Sequence, residues 1–85
     1  MRYTRAFLRL QIDTVNRMLG HNPDTVNDAT PRSVQLYLAY GGCGVHYVGP
    51  SVRGRDSLLP CVSARECARY LAGMVHAIEI TRHQR

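Results

Sequence analysis

The chain contains no lysine: all eleven of its basic residues are arginine, set against six acids for a net charge of +5. A positive charge carried by guanidinium forks favours acidic partners, because each fork matches carboxylate or phosphate geometry bidentately where an ammonium cannot. Nucleic acid, a nucleotide and an acidic protein all meet that description. Six acids leave little for paired-carboxylate catalysis, since Asp13 lies one helical turn from Arg9 and Arg17, Glu66 belongs to a helix cap and Asp56 follows Arg55. No window approaches the roughly 20 apolar residues of a membrane-spanning helix. Arg9 and Asp13 also interrupt the apolar run that a signal peptide needs, so a cytoplasmic protein is expected. The three cysteines, Cys43, Cys61 and Cys67, are odd in number and lack the spacing of a disulfide framework, which predicts free thiols. Internal repeats and low-complexity segments are also missing. Eighty-five residues make a single domain, 1–85. A chain this short buries only about 60–65% of its unfolded surface, so a homodimer that adds to the core is expected.

What remains is organised around residues 33–48, SVQLYLAYGGCGVHYV, where two alternating runs flank Gly41-Gly42. Val34, Leu36, Leu38 and Tyr40 fall on one face and Gln35, Tyr37 and Ala39 on the other. Beyond the glycines, Val45 and Tyr47 share a face opposite His46 and Val48. A Gly-Gly pair between β-prone runs predicts a hairpin with the glycines at the turn, because primed turns need φ > 0. Leu58 to Val62 reads as a short third strand, restricted by Pro60 to an edge or a strand end.

Two helices flank this sheet. The first begins after Thr4 as N-cap, with Tyr3 as a hydrophobic staple, buries Leu8, Ile12, Val15 and Leu19, and stops at Gly20. The second opens with the capping box Ser63-Ala64-Arg65-Glu66, runs to about Thr81 and buries Cys67, Leu71, Met74 and Ile78. Gly73 inside it suggests a close approach to another element. Two apolar stripes and one amphipathic hairpin predict an α+β fold, a two-layer α-β-β-(β)-α domain whose small antiparallel sheet carries both helices on one face.

Chemical constellations are weak. Cys43 and His46 sit three apart, so a regular strand points them to opposite faces and no nucleophile–base pair forms. For zinc, Cys43 with His46 and Cys61 with Cys67 lack two tight knuckles, and the second pair straddles a helix start. Neither glycine cluster opens a helix as a phosphate-binding loop does. The chain is therefore read as a non-enzyme with no cofactor and no metal. Two polar features stand out. Arg53-Gly54-Arg55-Asp56 in the loop 49–57 is either a solvated turn with Arg55 and Asp56 paired, or two guanidinium groups wrapped around an anion. Gln35, Tyr37 and His46 lie on the sheet face that no helix covers, where aromatics can stack bases or form a dimer contact. Gln35, Tyr37, His46, Arg53 and Arg55 are the candidate partner-binding residues.

Tyr3-Thr4 at a helix start, Ala39-Tyr40-Gly41-Gly42 at a strand end, and Ser63 with Glu66 capping a final helix resemble small proteins encoded by tailed bacteriophages and prophages. The resemblance spans almost the whole chain through short structural motifs. It departs at Cys43, where that pattern often has an aromatic residue. It implies an accessory protein in the host cytoplasm that binds and disables a host component, either a protein or a ribonucleoprotein effector of the anti-CRISPR target type. Two other readings stand beside it: an oligomer that sequesters a small anionic ligand such as a nucleotide messenger, and a basic nucleic-acid-binding accessory protein.

Overall fold

A computed structural model of the chain describes residues 3–27, 29–39, 41–49 and 55–83, with Arg55 and His83 described by their backbone alone. The elements follow in the order α1 (Arg5–Met18), β1 (Val34–Ala39), β2 (Gly42–Val48), β3 (Arg55–Val62) and α2 (Ala64–His83). The strands form one antiparallel sheet in the order β1-β2-β3, so the third strand is present and lies at an edge, as Pro60 requires. It begins at Arg55, three residues earlier than its apolar run suggests, and takes Asp56 and Ser57 out of the expected loop.

Both ends of α1 are set by local chemistry. The Thr4 hydroxyl accepts the Phe7 N–H at 3.1 Å, and Tyr3 packs its ring edge-on against Phe7 with centroids 5.9 Å apart. At the other end Gly20 takes φ +95°. Its N–H donates to Arg17 O at 3.0 Å and the His21 N–H donates to Asn16 O at 2.9 Å, which is a Schellman ending. Leu8, Ile12 and Val15 are buried, but Leu19, the last of the expected stripe, lies beyond the helix and is 43% exposed. Asn16, at 1% exposure, is buried beside them instead.

At the start of α2 the Ser63 Oγ accepts the Glu66 N–H at 3.2 Å, and the Ser63 hydroxyl donates to Glu66 Oε1 at 3.1 Å. The cap forms, with the carboxylate on the hydroxyl of Ser63 rather than on its amide. Cys67, Ala68 and Leu71 are buried, whereas Met74 and Ile78 are half-buried. Twenty residues make a helix of about 30 Å, longer than the sheet beneath it. Its last turns lean on the end of α1, where Arg82 Nη2 donates to Met18 O at 2.8 Å. The helix therefore persists past Thr81.

The core lies between the helices and one sheet face. Leu8, Ile12, Val15, Val34, Cys43, Val45, Cys67, Ala68 and Leu71 form its centre, with Leu36, Leu38, Tyr47, Leu59 and Val62 packed against it. Register explains the grouping: Val34 pairs with Tyr47, Leu36 with Val45 and Leu38 with Cys43, and opposed residues of an antiparallel pair share a face. The hairpin turn is displaced from its expected position. Ala39 pairs with Gly42, so Gly42 belongs to β2 rather than to the turn, and Gly41 has φ +73°. Tyr40, expected in the core, lies outside the described residues.

Gly42 and Gly44 serve a different purpose. A Cβ on Gly42 would stand 2.9 Å from Val62 O, and one on Gly44 would stand 2.8 Å from Leu59 O. The register of β2 with β3 shifts twice here, between Cys43 and Val45 and again between Val45 and His46, and the bulged β3 backbone closes on Gly44. Gly73, by contrast, has nothing within 4 Å of where its Cβ would be, which corrects the expected close approach. These two glycines make opposite predictions. Gly44→Ala should lower the urea-unfolding free energy by about 1–3 kcal/mol, while Gly73→Ala, in an exposed helix interior, should raise it by about 0.5–1 kcal/mol. Equal stability of Gly44→Ala and the parent would contradict the close approach of β3.

Candidate partner-binding face

The face away from the helices carries the alternate residues of β1 and β2. Gln35 pairs with His46, Tyr37 with Gly44, and Ala39 with Gly42. Because Gly44 places no side chain opposite Tyr37, the phenol ring settles on its diagonal neighbour. The Tyr37 and His46 rings stack with centroids 4.7 Å apart and planes 16° from parallel. Tyr37 is 43% exposed and His46 half-buried. An aromatic ring over a strand glycine is a known device for holding a register. Here it also produces a flat, two-ring surface on the uncovered side of the sheet.

The other expected residues divide. Gln35 shares the face but is not free: its Nε2 donates to Asn27 O at 2.8 Å and to Ser33 Oγ at 3.0 Å. The loop before β1 thus occupies the end of the face that carries Gln35. Val48, two residues beyond His46, is fully buried as well, although alternation places it on the open side. The Arg55 backbone pairs with Val48 at the start of β3. Arg53 and the Arg55 side chain, and with them the proposed anion wrap, lie outside the described residues. The open surface is therefore smaller than the alternation suggests and centres on Tyr37 and His46.

The loop end of the face is held by backbone contacts with no sequence signature. Arg32 is the one non-glycine residue with positive φ among the described residues, at 61°. Its N–H donates to Val48 O at 2.7 Å, the Val48 N–H donates to Ser33 O at 2.9 Å, and His21 Nε2 donates to Arg32 O at 2.9 Å. Two residues opposite one, the first left-handed, make a bulge of the type that usually has glycine at that position.

Cys43 and His46 are not brought together. Cys43 pairs with Leu38 on the core face and His46 with Gln35 on the other, so this pair stays apart. Burial pushes the Cys67 thiol up from its ordinary value, and neighbouring Cys43 raises it further, so Cys67 holds its proton. Cys61 is exposed. No three His, Cys, Asp or Glu side chains among the described residues are grouped to hold a metal ion. No described helix is long and apolar enough to cross a membrane.

Comparisons with protein-family models, with curated proteins and with solved structures returned no match to this chain.

The stacked pair should be separable from the fold. Tyr37→Ala and His46→Ala should each cost under about 1 kcal/mol in urea unfolding, as expected for a half-exposed aromatic pair. Tyr37→Ala should also remove the upfield ring-current shift of the His46 ring protons in the NMR spectrum. Unchanged His46 shifts would show that the rings do not stack.

Proposed function

We propose that this protein is a non-enzymatic phage or prophage accessory protein that binds a host factor in the cytoplasm and inhibits it, in the manner of an anti-defence, anti-CRISPR-type protein. The observation that carries the binding part is the stacked Tyr37–His46 pair on a sheet face that neither helix covers. Tyrosine supplies large, amphipathic contact area at low entropic cost, which suits it to the centre of an interface. The inhibitory role rests on the resemblance of Tyr3-Thr4, Ala39-Tyr40-Gly41-Gly42 and Ser63 with Glu66 to small phage proteins. The net charge of +5 favours an acidic surface on that factor, whether protein or ribonucleoprotein.

The same stacked rings favour a second reading, a single-stranded nucleic acid whose bases stack on Tyr37. Sequestration of a small anion depends on Arg53 and Arg55 and draws no support from the described residues. A homodimer that covers Tyr37 and His46 is a third occupant of the same surface.

One capture experiment separates the host-protein reading from the nucleic-acid reading. Tagged protein incubated with nuclease-treated host lysate should retain a protein at near-stoichiometric level, and the Tyr37→Ala/His46→Ala double variant should retain at least roughly tenfold less, a loss of the size expected for interface anchors. Retention of no protein by the parent would overturn the proposal. A nucleic-acid ligand would instead be recovered only without nuclease and would be lost as salt is raised.

A further inference from the structure

β1 is an edge strand, and the groove between it and α1 has a repeat on each of its walls. In an antiparallel ladder alternate residues turn both N–H and C=O outward. The Asn16 side chain shows which residues do so here. Its Nδ2 donates to Val34 O at 3.0 Å and its Oδ1 accepts the Val34 N–H at 2.8 Å. Val34 therefore faces away from β2, and Leu36 and Leu38 face away with it, while Ser33 bonds inward to Val48. Among the described residues, Asn16 is the only side chain bonded to this outer edge. A carboxamide is the side-chain equivalent of a peptide group, so the chain already pairs its own edge at one position with an amide from outside the sheet. Beyond that position β1 reads Val-Gln-Leu-Tyr-Leu-Ala, with none of the charges or prolines that usually blunt an edge.

The helix wall supplies the chemistry. α1 runs alongside β1 in the opposite direction. Arg9, Ile12 and Asp13 line a cleft of about 280 Å³ with Gln35 and Leu36, and Pro23 and Val26 of the loop before β1 close its far side. Further along, Arg5 lines a cleft of about 200 Å³ with Leu38 and Ala39. Arg5 and Arg9 are one turn apart, about 6 Å along the helix. Leu36 and Leu38 are about 6.8 Å apart along the strand. The two exposed guanidinium groups thus share the repeat of alternate side chains on an added strand. Asp13 marks the end of the basic stretch, beside Asn16.

We infer that β1 takes up a fourth, extended strand from a partner protein, an acidic segment with Asp or Glu at alternate positions. Its backbone pairs with Leu36 and Leu38, and its carboxylates meet Arg9 and Arg5. A second copy of the chain is the poorer occupant, because joining two β1 edges brings Arg5 and Arg9 of both copies to one seam. This edge is separate from the Tyr37–His46 face, and the inference holds or fails independently of the proposed function.

The test uses the full-length, isotope-labelled protein and the blocked peptide Ser-Thr-Glu-Val-Glu-Val-Thr-Ser. Titration to about 1 mM, which detects even weak strand addition, should shift the Leu36 and Leu38 amides and slow their hydrogen exchange at least roughly tenfold. The peptide with lysine for both glutamates should leave these amides unmoved, as should the peptide N-methylated at the residues whose N–H groups face β1, which are the glutamates of an antiparallel added strand or the valines of a parallel one. Arg5→Glu/Arg9→Glu, at exposed positions that leave the core intact, should reverse the preference towards the lysine peptide. No shift at about 1 mM, or an equal response to the lysine peptide, would overturn the inference. So would concentration-dependent protection of Leu36 and Leu38 without peptide, which would assign the edge to a second copy.

Discussion

One buried carboxamide joins the two layers of this protein. Asn16 satisfies both backbone groups of Val34 with its side chain, and its own carbonyl accepts the His21 N–H that ends α1. The same route continues through the His21 ring to Arg32 O, and from the Arg32 N–H to Val48 O. Helix end, connecting loop and central strand are therefore linked bond by bond. Removing one partner of a buried hydrogen bond costs about 1–3 kcal/mol, and Asn16 serves two such groups at Val34. A domain of this size has a total stability of only about 4–13 kcal/mol, so a single side chain carries a large share.

That linkage fixes where α1 stands relative to β1, and the position of α1 determines what each surface of the sheet can do. With the helix alongside the edge, the apolar stripe of Leu8, Ile12 and Val15 meets Val34 and Val45 in the core. The opposite face is left to Tyr37 and His46. The outer edge of β1 is closed at Val34 and flanked by arginines further along. Among the described residues the sheet thus presents surfaces of different chemistry, including a flat aromatic face and a β1 edge with a basic wall.

Much of this was legible in the sequence, for physical reasons that also mark where legibility ended. Periodicity reports burial, so Leu8, Ile12, Val15, Cys67 and Leu71 announced the helix faces, and the alternation of Val34, Leu36 and Leu38 announced the core side of β1. The same alternation placed Tyr37 and His46 together on the other side. Asn16 was invisible to it, because a buried polar residue breaks an apolar period and its partner here is backbone. Glycines were ambiguous: Gly44 is required by the path of β3, which no local pattern encodes, whereas Gly73 is required by nothing within 4 Å. Gln35 looked free because Asn27, which holds its amide, is eight residues away in a loop. Leu19 continues the spacing of the stripe, but α1 ends at Met18 before reaching it.

The account depends on the Asn16 carboxamide standing in for a strand at Val34 and on the edge being open beyond it. Amide hydrogen exchange of the free, full-length protein tests this directly. The account predicts a protected Val34 N–H, fast exchange at Leu36 and Leu38, and loss of the Val34 protection in Asn16→Ala under conditions where the inward-facing Gln35 and Tyr37 amides stay protected. Slow exchange at Leu36 and Leu38 in dilute protein, or a Val34 amide as protected in Asn16→Ala as in the parent, would contradict it.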